Sequence, residues 1–579
     1  MTAMTFDLGA SAPVAGGALW GPEMFGYLYT GFRSFDRFEA QLADQQVGLL
    51  VWPGGFLAEM HPDRYGMEYP GLFNPALPRP DLGEMMAEAV ARGAGLAVVL
   101  PSLRYLGEAA ALRSDLQAFL GDLLGGAYGP APERLILEVG SEFYTSFPDP
   151  ALAAQQYGAM AEIFVQEISA ALADPAVNTT GMDLDIAVQA GRTPGEDAEV
   201  RAGLSEASLR EVDHVIHRRF ALEAEGIDGR LDDVQQVMEA WRAELAALGQ
   251  EGPGLFLSSW GVGSYTRDEA LRDFLAADAA AGGSLGPGDV DLEGRTTTAF
   301  ENFWQQAMAA RDYGAEHPRL ILEMLTEYGA EGMTHAAVYG TDVIHPGRTS
   351  FNDINGVPQD FIGQRMLDMM AESVGGTRAL DFGAPNAAGE AVWAYGFEND
   401  DKLVVFLAAD EVVPAGVKLE LPGLGTTYRQ VAADSLRAAV PDDWMARFDI
   451  PDNPDVDESA EGRSFALGER QAAVVRQVAD GVQIAFSVPG EVVRVAFAKT
   501  DAGLAEIAGF SDGDIVMLDA AAVGPGDDDD GEGDGDDLPL VPMPDGAGAE
   551  DDDDFDFGGG DALGMMLAVV PLLFLLGMA

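Results

Sequence analysis

At 579 residues the chain is too long for one ordinary domain, and 47% apolar residues with 9% aromatics are enough for at least one large core. The 96 acidic residues outnumber the 33 basic ones and give a formal net charge of -63, which argues against nucleic acid or an anionic membrane surface as partner. With 0 cysteines, disulfides, thiolate-held zinc or iron-sulfur clusters and thiol catalysis are excluded.

The first twenty residues, MTAMTFDLGASAPVAGGALW, have no basic segment and no long apolar core, so no N-terminal signal peptide is expected. Strand-like apolar runs then alternate with stretches of helical period such as DLGEMMAEAVARG and RLDDVQQVMEAWRAELAALG. The runs are FGYLYT (25–30), VGLLVWPGG (47–55), GLAVVLP (95–101), RLILEVGSE (134–142), LDIAVQA (184–190), DHVIHRRF (213–220), GLFLSSWG (254–261) and THAAVYGT (334–341). Strand–helix alternation implies a parallel sheet, and eight such units close a (β/α)8 TIM barrel, here over residues 20–370. Residues 375–502 alternate apolar and polar positions between NDD, PG and DG turns, the pattern of an antiparallel β-sandwich. Residues 524–561 are an acidic Gly/Asp/Pro-rich linker, expected to be disordered and able at most to bind calcium loosely. Residues 562–579 carry no charge, which suits a transmembrane anchor or a C-terminal export signal, although no Lys or Arg follows Lys499 to flank it. Either places the protein at the cell surface or outside the cell.

In a TIM barrel the ligand site lies at the C-terminal ends of the strands. Polar and aromatic residues collect there. Glu142 ends the fourth run beside Tyr144, and a carboxylate at a strand mouth either caps the next helix or faces a ligand. Glu138, four positions earlier, points to the same face and suits a structural partner of an arginine or a serine. Trp52, Tyr144 and Trp260 offer rings for stacking on sugars, and Gly54 and Gly55 permit a tight turn. His214 and His217 lie on the sixth run, and no residue set has metal-ligand spacing. Glu327, in LTEYG, mimics a strand-end carboxylate but sits among apolar residues at helical spacing, on the helix before the eighth run.

Residues 20–500 resemble the clan of retaining glycoside hydrolases that includes arabinofuranosidases, xylosidases and heparanase-like glucuronidases. WPGGFLAE after the second run resembles the clan's Arg-aromatic-Pro-Gly-Gly turn, LEVGSEFY resembles its strand ending in Asn-Glu, and a β-sandwich follows the barrel. The resemblance implies that Glu142 takes the acid/base position, and that a substrate-facing residue sits where His214 and His217 lie. It also puts Ser141 at the clan's Asn and Val51 at its Arg. The nucleophile position falls on Ser259, before Trp260, so the retaining nucleophile is missing there. Glu59, Glu138 and Asp342 are the alternative carboxylates. The expectation is a carbohydrate-recognising protein that binds an oligosaccharide or glycoside with a degenerate active site and no cofactor. The alternatives are an active hydrolase with a displaced second carboxylate, and a structural surface or adhesion protein.

Overall fold

In the computed structural model the described residues run from 4 to 519, apart from 10, 15–16, 18, 30–34, 44, 55–57, 60–66, 68–78, 222–223, 263–266, 287–289, 291–298, 301–302, 304–312, 340–356, 358, 382–390, 414–415, 449–465 and 479. The acidic linker and the apolar segment at 562–579 therefore lie outside the described residues.

Two short strands, β1 (Met4–Asp7) and β2 (Ala12–Pro13), precede the barrel. Its strands are β3 (Gly26–Leu28), β4 (Leu49–Trp52), β5 (Gly95–Leu100), β6 (Leu135–Val139), β7 (Asp185–Gln189), β8 (His214–Ala221), β9 (Gly254–Val262) and β10 (Met333–Tyr339). They close in chain order, β10 pairing with β3, and every pairing is parallel. All eight fall on the runs read from the sequence. Strands covered on both faces read as continuous apolar runs, as in the fully buried GLAVVL of β5. Helix ends are marked locally too: Asp81 and Glu84 form a reciprocal capping box ahead of the helix Leu82–Arg92, and left-handed Gly93 closes it.

Two layers of core follow from strand alternation. Leu28, Leu49, Val51, Ala97, Val99, Ile136, Ala187, Ile216, Phe256 and Ala337 fill the barrel interior. Leu50, Trp52, Val98, Leu137, Val188, Val215, Leu257 and Trp260 face outward into the core shared with the helices.

Ten strands remain to be named after the barrel: β11 (Arg378–Asp381), β12 (Val392–Glu398), β13 (Lys402–Ala409), β14 (Val417–Glu420), β15 (Gln430–Ala439), β16 (Leu467–Ala472), β17 (Val475–Val478), β18 (Gly481–Ile484), β19 (Glu491–Ala498) and β20 (Val516–Met517). Together with β1 and β2 they form an eight-stranded sheet and a four-stranded sheet. The sandwich reaches beyond residues 375–502: β1 joins it beside β14, in parallel, β2 pairs with β11, and β20 pairs with β15. Arg494, fully buried on β19, joins sandwich to barrel by donating from Nη2 to Asp434 at 2.8 Å and from Nη1 to Met369 O and Glu372 on the last barrel helix, Ile362–Ser373.

Candidate functional site at the barrel mouth

The site is built around the exit of β6. Gly140 (φ 66°) lies so close to the neighbouring loop that an added Cβ would meet Ser102 Oγ at 2.7 Å and the Tyr157 ring at 3.0 Å. Two residues later Glu142 adopts φ 45°, ψ 51°, and it has the only positive φ at a non-glycine among the described residues. A left-handed glutamate costs backbone energy that neighbouring structure must offset, and such residues concentrate at functional sites. Below it the Tyr157 hydroxyl donates to Val139 O at 2.6 Å and accepts from Gln189 N at 2.8 Å, while Phe143 stacks on the Tyr157 ring at 4.5 Å. Glu142 caps the short helix Phe143–Ser146 with its backbone carbonyl and not with its side chain. Its half-buried carboxylate accepts no hydrogen bond among the described residues, and the Arg218 guanidinium and the Tyr144 hydroxyl lie within its electrostatic reach.

Glu59 and Glu138 are the other described carboxylates of the mouth. Glu59 is buried and accepts from Ser102 N, Ser102 Oγ, Leu103 N and Ser141 N at 2.7–3.0 Å. Burial pushes its carboxyl up and these donors pull it back. It ties together the loops after β4, β5 and β6, and its lone pairs are occupied. Glu138 is fully buried inside the barrel, where Oε1 accepts from Arg218 at 2.7 Å, Gln189 at 2.8 Å and Ser258 at 3.2 Å. Burial raises this carboxyl, against the opposing Arg218 guanidinium. Its Oε2, together with Ser141 Oγ and Arg218 Nε, is buried with no partner among the described residues.

The seventh strand of the barrel, β9, holds an irregularity where the resemblance places the nucleophile. Register on β8 passes from His217↔Leu257 directly to Arg218↔Ser259, leaving Ser258 as an extra residue. The pairing with β10 shifts over the same stretch. This β-bulge sets Ser258 and Ser259 together opposite Arg218, and both are buried hydroxyls.

Several residues expected at the site lie elsewhere. Trp52 and Trp260 are buried in the outer layer; Trp260 lines a small gap with Tyr27, Leu367 and Asp368 of the helix face. Neither ring faces the mouth, because each follows an inward residue by one position. His217 also alternates outward, beside Arg219 at 3.3 Å, and burial followed by that guanidinium holds its imidazole well below its usual range. His214 begins β8 at the opposite end of the barrel, 3.1 Å from Asp185 and with its ring 4.5 Å from that of His335. Tyr144 is at the rim under the Arg192 guanidinium, 5.0 Å from its centroid. Gly54 is buried after the Trp52–Pro53 cis peptide, and Gly55 and Asp342 lie outside the described residues. Glu327 is in the helix Tyr313–Ala330, as its spacing indicates.

The sequence reading set Tyr339 at the mouth of the eighth run but passed over Gln189, Arg218 and Phe220. All four lie on the inward face of β7, β8 or β10, a face that counting alternate residues from Ala187, Ile216 and Ala337 identifies. Among the described residues no group of three or more potential ligands converges on a metal position.

Solved structures of similar fold include glycosidases. A family 51 α-L-arabinofuranosidase, AbfB from Bifidobacterium longum, superposes with a TM-score of 0.52 at 13% identity over 86% of this chain and 100% of its own. In fold, the chain is similar to glycoside hydrolases. A family 51 arabinofuranosidase from Xanthomonas axonopodis pv. citri matches at TM-score 0.49, 12% identity, over 85% and 99% of the two chains. A monomeric β-xylosidase from Caulobacter crescentus CB15 matches at 0.48, 14% identity, over 86% and 99%. No protein-family profile and no curated protein matches by sequence.

Proposed function

We propose that the chain is a carbohydrate-recognising protein on a glycoside-hydrolase fold, which holds a glycoside against Glu142 and has lost the retaining two-carboxylate mechanism. The observation that carries the reading is the pairing of a left-handed, unbonded Glu142 at the end of β6 with a Ser258–Ser259 bulge on β9. Retaining hydrolysis needs two carboxyls about 5–5.5 Å apart, one to donate a proton and one to attack the anomeric carbon. A serine hydroxyl does not replace the attacking carboxylate without a base beside it. Glu59 is saturated by donors, which suits a structural role.

The free Oε2 of Glu138 favours a second reading, an active hydrolase with Glu142 as general acid and a displaced second carboxylate. Hydrolysis of a panel of aryl glycosides separates the two. Turnover at the level of the uncatalysed reaction is expected; robust turnover abolished by both Glu142→Gln and Glu138→Gln would establish the second reading.

Display at the cell surface through residues 562–579 belongs to the same proposal and is supported by their eighteen-residue uncharged run. Among the described residues no helix is long and apolar enough to cross a membrane. Full-length chain is expected in the membrane fraction and chain truncated at 561 in the soluble one; recovery of both in the medium would contradict the anchor.

A further inference from the structure

We propose that a groove walled by the residues leading into β3, β4 and β5 is a second ligand site, which takes a small neutral polyol and draws one of its primary hydroxyls in between Trp260 and Asp368. The groove has a volume of about 450 Å³, and its walls include Pro22, Phe25, Gln46, Gly48, Arg92 and Ala371. Small-molecule sites typically span roughly 300–1,000 Å³. Phe25, Gln46 and Ala371 also wall a gap of about 10 Å³ that Tyr27, Trp260, Leu367 and Asp368 line, so the groove narrows inward to room for one water-sized group. Across the barrel wall Val338 pairs with Tyr27 on one side and Trp260 on the other, which sets the two rings in one outward row against the helix Ile362–Ser373. None of these residues belongs to the mouth around Glu142.

The polar groups at the narrow end select the ligand. Trp260 Nε1 is buried with no partner among the described residues, and a buried donor left unpaired is costly. Asp368 brings a carboxyl to the packed face of its helix, 3.4 Å from Gln364 Nε2 and 3.7 Å from Arg365 Nη1, and burial raises that carboxyl. Gln364 Nε2 also holds the Tyr27 hydroxyl at 2.9 Å. Gln46 is exposed where gap and groove meet, and its amide makes no hydrogen bond among the described residues. A hydroxyl both accepts and donates, so it can take the indole N–H and serve Asp368 at once. An ammonium has no lone pair for the indole. A carboxylate would set a second anion beside Asp368, and an alkyl group would leave both polar groups unpaired. The carbon skeleton of a polyol then lies along Phe25 and Pro22, with a further hydroxyl on the Gln46 amide.

The test is an NMR titration of the full chain, isotope-labelled at the indole nitrogens, with xylitol, n-butylammonium and acetate as probes. Of the seven indole N–H resonances, the one absent from Trp260→Phe should shift saturably with xylitol and with neither ion. Gln46→Ala, an exposed substitution, should raise the xylitol midpoint by about two- to tenfold, the loss of one neutral hydrogen bond, at an unchanged melting temperature. Asp368→Leu should abolish the shift, and Glu142→Gln should leave the midpoint where it is. No saturable shift of that resonance with xylitol, an equal response to n-butylammonium, or a wild-type midpoint in Gln46→Ala would overturn the second site and leave glycoside recognition standing. A midpoint that moves in Glu142→Gln would place xylitol at the mouth and overturn the second site as well.

Discussion

Glu142 holds a conformation that an L-residue adopts at a cost of roughly 1–2 kcal/mol, and its carboxylate receives no hydrogen bond among the described residues in return. Replacing it with glycine should therefore leave stability unchanged or raise it by up to about 1 kcal/mol, while removing ligand binding. Chemical denaturation of Glu142→Gly checks this, and a loss of more than about 1 kcal/mol would mean that the side chain stabilises the fold. Glu59 is the opposite case. Its four donors would lose an ionic acceptor in Glu59→Ala, leaving buried N–H groups unsatisfied, and a destabilisation of about 3 kcal/mol or more is expected from the same measurement. The sequence made the arginine and serine partners of Glu138 legible, because a carboxylate in an apolar strand demands a partner. It did not show which way Trp52, His217 and Trp260 point. Strands buried on both faces lack the polar alternation that would reveal orientation, so aromatic residues at strand ends look alike whether they line the mouth or the helix layer.

At the scale of elements, β9 and the helix Ile362–Ser373 decide the most. All eight barrel strands could be read from sequence, because short apolar runs spaced by helical stretches allow few other topologies. The bulge in β9 could not, since one extra serine in GLFLSSWG leaves the apolar pattern unchanged and shows only in the register of both neighbours. Nor could the recruitment of β1 and β2 by the sandwich, which rests on pairing across more than 360 residues. On the helix, Asp368 is 9% exposed and burial raises its carboxyl from 3.8 to about 7, aided by Glu372 and Asp360 and opposed by Arg365 and the Gln364 hydrogen bond. A raised carboxyl favours the folded state in its protonated form. Its contribution is complete below the unfolded value and is lost as pH rises through about 7, by up to about 4 kcal/mol. Asp368→Asn should flatten the fall in melting temperature between about pH 4 and about 7, and an unchanged pH profile would assign that fall to other groups. At the joint between domains, Arg494→Ala leaves the carboxylates of Asp434 and Glu372 with Arg470 as their remaining guanidinium partner, and up to about 3–5 kcal/mol of destabilisation is expected in a thermal melt.

For the whole molecule, a net charge of -63 means that the folded body works against its own field. Raising salt from about 0.01 to about 1 M shortens the screening length from about 30 to about 3 Å, so the melting temperature should climb across that range. A flat or falling curve would show that the ion pairs of the mouth and the domain joint outweigh the global repulsion. The same charge makes a neutral oligosaccharide a better ligand than a polyanion, which fits a mouth whose rim is aromatic. The central claim, recognition of a glycoside without hydrolysis, is tested most directly by isothermal calorimetry of the full chain with xylotetraose, because one trace reports both binding and turnover. The account predicts heats that saturate and then cease, and that disappear in Glu142→Gly. Heat that continues at constant rate after saturation and stops in Glu142→Gln would show an active hydrolase and contradict the claim.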